Sequence, residues 1–453
     1  MTEMSTPKAQ ATATTGDVHV GPFGRFLRAT EIDTRLLGMA GALLLIWVGF
    51  HVYPAIVSVL SGGPFDLSLG NFLTPRNLWN LSVQTSYIGI MATGMVLVII
   101  TRNIDLSVGS IIGVTGMAMG LLQAEVLPDS LGLGHPSIWV ITAVVGLVLG
   151  GLIGIFHGWL IAYRGIPSFI VTLGGLLIWR GMAFLSASGR TIAPLDETFA
   201  LLGGGPYGTV GAVGSWIVGG LACLGLLWLL QNGRSQRRKH DFTLRPMWAE
   251  TVMAIFGCGI IIGAVLLVNA YPWAKGIVAN YAKATGQDLP EGTFISHGFA
   301  IPVLILIAVG ILMTILMNRT RFGRYVFAIG GNPEAALLAG INTRWVTLKV
   351  FALMGALAGL AAIITSARQN SATNAMGELD ELYVIAAAVI GGTSLAGGAG
   401  TIYGAILGAL VILSLQSGMV LSGVGEGSYQ KIVVGTALVL AVYLDILYRK
   451  KLK

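Results

Sequence analysis

An all-α bundle that crosses a membrane many times is the fold class this sequence predicts, and three observations carry that prediction. The first is composition. Of 453 residues, 55% are hydrophobic and only 10% are charged, with a mean hydropathy of +0.80, whereas soluble domains carry about 25% charged residues. The second is the recurrence of apolar runs near the ~20 residues that cross a bilayer as a helix. The third is the uneven distribution of Lys and Arg around those runs. The 64 glycines suit helices that approach closely in lipid.

Residues 1–33 hold no apolar core and show no cleavable signal, so they read as a flexible cytoplasmic tail. A membrane domain is expected over residues 34–448, with a polar loop at 319–349 and a basic tail at 449–453. Within it the first six apolar runs are Leu36–Leu60, Ser82–Thr101, Leu106–Gln123, Ile138–Ala162, Ser168–Ala187 and Val213–Leu230. The last six are Ala249–Ala270, Phe299–Met317, Leu348–Ala367, Leu382–Leu395, Ile402–Leu421 and Ile432–Leu447, giving about 12 spans.

If alternate connections starting from the N-terminal tail are cytoplasmic, they hold twenty of the 27 Lys and Arg residues. The opposite connections hold six, Arg76, Arg190, Lys275, Lys283, Arg368 and Lys431, and Arg180 falls inside a span. That asymmetry places both termini in the cytoplasm. It also explains the net charge of +7 by membrane orientation rather than by nucleic-acid binding. The tenth run is short, but without it the basic tail would emerge on the wrong side. A short or broken helix is expected there, followed by Gly391, Gly392, Gly397, Gly398 and Gly400. Interrupted helices line pathways in transporters, and glycines equally serve close helix packing.

The loop Arg319–Lys349 lies between two spans and encodes one short helix of its own. Asn332 caps its start, Pro333 suits the first helical position, Glu334 complements the positive end of the dipole, and Gly340 supplies a left-handed stop. Ala335, Ala336, Leu337, Leu338 and Ala339 give it a small apolar face. A helix of about two turns is not stable alone in water, so it must dock on a partner or on its own loop.

Enzyme signatures are absent from the sequence. The six histidines form no HExxH pattern, and no G-x-x-x-x-G-K-[ST] loop is present, so energy for transport would come from an ion gradient or another protein. Cys223 and Cys258 fall in apolar runs and are expected as free buried thiols. Asp105 stands at the mouth of a span, where it reads as a helix cap for a helix starting at Leu106, and Asp445 lies near a span end. Neither is deep, which argues against proton or sodium coupling. Arg180 must face a partner or a watery cavity, bonding either helix-end carbonyls or a hydroxylated substrate. His51, His157, Asn269 and Gln416 read as interhelical hydrogen-bonding groups, and Trp79, Trp139, Trp159 and Tyr163 as interfacial anchors.

Several stretches resemble one family, the inner-membrane permease subunits of bacterial ABC importers for ribose, galactose and xylose. NIDLSVGSIIGVTG (Asn103–Gly116), WLIAYRGIPSFIVTLGGLLIWRG (Trp159–Gly181), GGNPEAALLAGIN (Gly330–Asn342) and the signature spanning Glu378–Leu410 carry the resemblance. It covers roughly residues 75–447, leans towards the xylose members, and is weak around Arg234–Arg245 and Lys275–His297.

The resemblance implies an ABC importer permease fold in which Asn332, Pro333, Glu334, Ala335, Leu338 and Gly340 form a coupling helix docking on an ATP-binding subunit. ATP and Mg would be held by that partner and no cofactor by this chain. A periplasmic sugar-binding protein would deliver the monosaccharide, with a second permease copy completing the pathway among membrane lipids. Candidate pathway residues are Asp105, Arg180, Gly391, Gly392 and Ser394, and the acidic Glu378, Asp380 and Glu381 would lie outside, either helping the binding protein dock or simply solvating a loop. The rivals are an ion-coupled secondary sugar carrier and an intramembrane enzyme.

Overall fold

The computed structural model describes residues 33–290, 292–423 and 427–451, together with residues 24, 27 and 29–31. The expected N-terminal tail lies almost wholly outside the described residues, as do the side chains of Asp445 and the terminal lysines.

Helix starts follow local chemistry. Asp33 caps α1 (Thr34–Leu60), accepting from the Arg35 N–H, and Thr74 caps α2 (Pro75–Ile100), whose first residue is a proline. α3 (Val108–Leu121) continues through a π-helical turn to Leu131. α4 (Ile138–Arg164) ends at Gly165 with a left-handed φ of 71°, and α5 (Ser168–Ser186) follows Pro167. α6 (Gly211–Lys239) and α7 (Met247–Asn269) form a hairpin closed by an Arg234–Glu250 ion pair at 2.9 Å. α8 (Lys275–Thr285) lies in the long connection to α9 (Ile301–Arg319). Then come α10 (Arg321–Gly331), α11 (Pro333–Leu338), α12 (Thr343–Gln369), α13 (Asp380–Ile390), α14 (Ile402–Leu421) and α15 (Gly427–Lys451).

Among the described residues, ten helices are long and apolar enough to cross a membrane: α1 to α7, α9, α12 and α14. One of the expected spans falls short of that standard: α13 has 11 residues, about 16 Å of helix. In α15 the apolar stretch among the described residues is Tyr429–Leu440.

The irregular segment 370–379 lies between α12 and α13 and runs antiparallel along α3. A methyl group on Gly120 would meet Ala372, one on Gly116 would meet Met376, and one on Gly109 would meet the Gly377 carbonyl. The chain therefore leaves the end of α12, turns back into the bundle, and begins α13 beside the first turn of α3. The expected broken helix is an irregular half followed by a helical half.

The core is built around α2 and α12, whose most apolar windows are 89% and 78% buried. α4 packs on α12 through Gly146, Gly150, Gly154 and Gly158, one glycine per turn. Methyl groups on Gly150 and Gly154 would lie 2.3 and 2.1 Å from the Gly355 and Phe351 carbonyl oxygens. Only the missing side chains allow this approach, as small residues do in lipid.

Two sequence expectations are corrected here. Trp79 is not an interfacial anchor. It is buried, donates from Nε1 to the Gly298 carbonyl at 2.8 Å, and packs against Tyr271 and His297, because the connection before α9 folds over the end of α2. Cys223 and Cys258 are free but partly exposed, since α6 and α7 pack mainly on each other and leave much of their surface to lipid.

Candidate functional site

The polar loop after α9 forms a two-helix platform. Thr320 caps α10 by accepting from the Gly323 N–H at 3.3 Å. One residue past its end, Asn332 Oδ1 accepts from the N–H groups of Glu334 and Ala335 at 3.1 and 3.0 Å, which starts α11. Such a cap is worth about 1 kcal/mol. At the other end Gly340 adopts a φ of 80°. The Ile341 N–H then bonds the Ala336 carbonyl at 3.1 Å, and the Gly340 N–H bonds the Leu337 carbonyl at 3.0 Å. That pair of bonds is the Schellman stop.

α11 is thus fixed at both ends although it is only six residues long. Ala336 faces inward, Leu337 is 62% exposed, and Leu338 is 89% exposed. The apolar face expected over residues 335–339 is split, with one residue anchoring the helix and two leucines standing clear of the protein.

The platform is tied to the bundle by a residue that sequence reasoning counted only as a positive charge. Arg102 follows α2 with a left-handed φ of 62°. Its Nε donates to the Gly330 carbonyl at 2.9 Å and its Nη2 to the Gly331 carbonyl at 2.7 Å. These carbonyls belong to the last turn of α10. The glycine-rich turn after α13 joins them, with the Gly398 N–H bonding the Ile100 carbonyl at 3.1 Å. No sequence signal marks Arg102, because its partners are backbone atoms more than 200 residues away.

A second polar centre lies inside the bundle at the start of α13. Asp380 and Glu381, expected on an outer loop, are 7% and 6% exposed. Burial follows from segment 370–379 turning back into the bundle, which carries them inward before the helix begins. Both carboxylates sit in the first turn of α13, where the helix dipole favours negative charge. Arg180 approaches the same region, with Nη1 donating to the carbonyls of Asn374 and Met376, each at 2.7 Å. Charged hydrogen bonds of this kind contribute about 1.5–3 kcal/mol each. Buried carboxylates are therefore present where the sequence suggested none.

The candidate pathway residues do not form one cluster. Arg180 lies by the start of α13, whereas Gly391, Gly392 and Ser394 form the turn at its far end. A methyl on Gly391 would lie 2.4 Å from the Gly404 carbonyl of α14, Gly392 has a φ of 87°, and Ser394 is fully buried.

Asp105 belongs to a third group. It is 2% exposed and does not cap a helix beginning at Leu106. Instead its Oδ1 accepts from the N–H and hydroxyl of Ser107 at 2.9 and 2.6 Å, and α3 starts only at Val108. Beyond Ser107, the His157 Nδ1 lies 3.2 Å away, and His157 Nε2 accepts from the Trp179 indole at 2.9 Å. An indole nitrogen can only donate, so the His157 proton sits on Nδ1 and points at Ser107. Protons thus run from Trp179 to His157 to Ser107 to Asp105. A hydrolytic triad needs the reverse, with His accepting the serine proton. This Ser–His–Asp group stitches α3, α4 and α5 together and does not activate a nucleophile.

A polytopic helical bundle with a capped helix presented on its basic face and a broken crossing at its centre has the architecture of a membrane transport permease. A family described as the branched-chain amino acid transport system / permease component matches residues 77–233 and 210–442, and the chain belongs to that family. Among similar proteins, the xylose transport system permease protein of Haemophilus influenzae is 38% identical over 384 residues, 84% of this chain and 92% of the relative. The xylose transport system permease protein of Escherichia coli K12 is 36% identical over 408 residues, covering 90% and 94%. The ribose import permease protein of Escherichia coli K12 is 32% identical over 399 residues, covering 88% and 92%. No solved structure matches.

Proposed function

We propose that the chain is the inner-membrane permease subunit of an ABC-type importer for a monosaccharide, D-xylose, driven by ATP bound with Mg on a separate subunit. Support for the substrate comes from the xylose permeases it is similar to. The observation that carries the mechanism is α11, rigidly capped at both ends with Leu337 and Leu338 uncovered. A knob of that kind fits a cleft in a partner. ATP-driven closure of two such partners would move α11, and the packed helices would pass the motion to the broken crossing. In this reading the basic face and both termini are cytoplasmic, a periplasmic sugar-binding protein loads the opposite face, and two permease copies enclose the pathway.

The test is reconstitution in vesicles with the ATP-binding subunit and the sugar-binding protein. Leu338→Asp places a charge in the proposed interface. It is expected to lower ATP-driven xylose uptake at least tenfold and to abolish co-purification of the ATP-binding subunit, with membrane insertion unchanged. Glu334→Lys, which also opposes the helix dipole, is expected to act in the same direction but less strongly. Normal uptake by both variants overturns the coupling assignment. The rival reading is an ion-coupled sugar carrier, which the xylose and ribose permeases the chain is similar to do not support. Uptake by the purified chain alone under a proton or sodium gradient would establish that reading instead.

A further inference from the structure

The junction at Arg102 is more intimate than a helix contact. Three chain reversals meet there: the end of α2, the α10–α11 corner, and the turn following α13. A methyl on Gly330 would lie 2.0 Å from the Ile100 carbonyl oxygen and 2.6 Å from the Gly398 nitrogen. A methyl on Gly397, whose φ is 86°, would lie 2.5 Å from Arg102 Cγ, 2.9 Å from the Ile100 carbonyl oxygen and 3.0 Å from that of Gly330. Three backbones therefore touch without intervening side chains, and the exposed Arg102 side chain bonds across their rim.

Arg102 and the two carbonyls it binds form a geometrically fixed unit. A guanidinium is a rigid planar fork, here directed at consecutive carbonyls of α10, the helix that leads directly into α11. The Gly398 N–H, bonded to the Ile100 carbonyl at 3.1 Å, joins the broken crossing to the same point. Displacing the α10–α11 corner without moving the end of α2 and the turn after α13 would break both Arg102 bonds and close glycine contacts that have no slack. Displacing all three together breaks none of them.

We infer that Arg102 is the positioning residue that transmits motion of α11 to the broken crossing at α13. This rests on the reading of α11 as the contact to the ATP-binding subunit and adds the route by which its movement reaches the interior. Arg102 acts through the backbone of Gly330 and Gly331.

The experiment uses the complete importer in proteoliposomes and compares Arg102→Ala, Arg102→Lys and Leu338→Asp. Uptake of labelled xylose and ATP hydrolysis, with and without loaded binding protein, are measured in parallel. Arg102→Ala is expected to keep the ATP-binding subunit attached and its basal hydrolysis within twofold. Uptake should fall at least tenfold, and stimulation of hydrolysis by the loaded binding protein should disappear. Arg102→Lys keeps the charge but replaces the fork with one ammonium group, so it should insert normally and raise the ATP consumed per sugar severalfold.

A merely structural role would lower the amount of complex without changing the ratio of ATP to sugar. An unchanged ratio in Arg102→Lys overturns the inference, and this holds even if Arg102→Ala fails to assemble. Loss of the ATP-binding subunit from Arg102→Lys also overturns it, by showing that Arg102 supports docking rather than transmission. Leu338→Asp separates the two proposals. If it leaves assembly and uptake normal, the docking reading fails; if it abolishes both while the Arg102 variants keep a normal ratio, only the transmission route fails.

Discussion

α1 and α12 are twins by sequence. Each has 27 residues and the same mean hydropathy of 2.1 in its most apolar window, yet that window is 11% buried in α1 and 78% buried in α12. In water, equal hydropathy would pull both inward. In a bilayer the lipid tails are as apolar as a protein core, so hydropathy no longer sorts helices between centre and periphery. What separates this pair is backbone access. Gly355 and Gly359 of α12 meet the glycines of α4 at distances only a missing side chain permits, while a methyl on Gly38, Gly41 or Gly49 of α1 would have nothing within 4 Å. α1 is held instead by a few larger contacts, among them the Trp47 indole donating to Ser414 Oγ at 2.9 Å and Phe50 lying over Gly418.

The comparison breaks most sharply at its glycines. Gly154→Leu would drive a side chain into the Phe351 carbonyl, a backbone atom that can retreat only if α12 moves. Overpacking of this sort costs about 3 kcal/mol, and the purified chain should lose resistance to detergent unfolding accordingly. Gly49→Leu in α1 should change stability by no more than about 0.5 kcal/mol. Equal sensitivity at the two positions would show that α1 packs as tightly as α12 and would remove the distinction.

The same physics explains what the sequence revealed and what it concealed. α11 was fully legible: its determinants are Asn332, Pro333 and Gly340, all within nine positions, and each acts on its immediate neighbours. The crossing helices were legible for the same reason, although α2 starts seven residues before the expected Ser82 and α6 runs nine residues past the expected Leu230, and the tenth span proved to be the 11-residue α13. The interior of the site was not legible. Asp380 and Glu381 read as outer acids because nothing in GELDEL announces that the preceding segment turns back along α3. Asp105 read as a plain helix cap because its partner network runs through His157 and Trp179, on helices that hydropathy cannot place relative to it. Arg102 was invisible as a site because backbone carbonyls, present at every position, leave no residue signature.

A smaller effect tests the tie that holds α1. Trp47→Phe keeps the aromatic contact with Phe72 but removes the indole donor to Ser414, a fully buried hydroxyl. One net hydrogen bond is worth about 1 kcal/mol. The loss should appear as a modest drop in detergent resistance, with cleavage by added protease increasing in α1 and not in α12. A drop as large as that of Gly154→Leu would mean that α1 belongs to the cooperative core.

The smallest effect lies just ahead of α1. Glu31 forms ion pairs with Arg237 and Arg245 at 2.6 and 2.8 Å, tying the chain before α1 to the last turn of α6 and to the connection that follows it. Hydrogen bonds from Arg237 and then Arg245 lower its carboxyl from 4.5 to about 2. A carboxyl lowered on folding stabilises above its unfolded value and loses that contribution as pH falls through its folded value. The tie should therefore be intact above pH 4.5, weaken progressively below it, and be lost as pH falls through about 2. Because the Glu31 side chain is 45% exposed, the contribution is small and screened by salt. Spin labels at Thr30 and Thr243 should report a fixed separation at neutral pH that broadens on acidification and in high salt, and Glu31→Gln should show the broadened distribution at every pH. A separation that is insensitive to pH, salt and Glu31→Gln would show that α1 is positioned by its apolar contacts alone, and that the polar tie at its entrance contributes nothing to holding it.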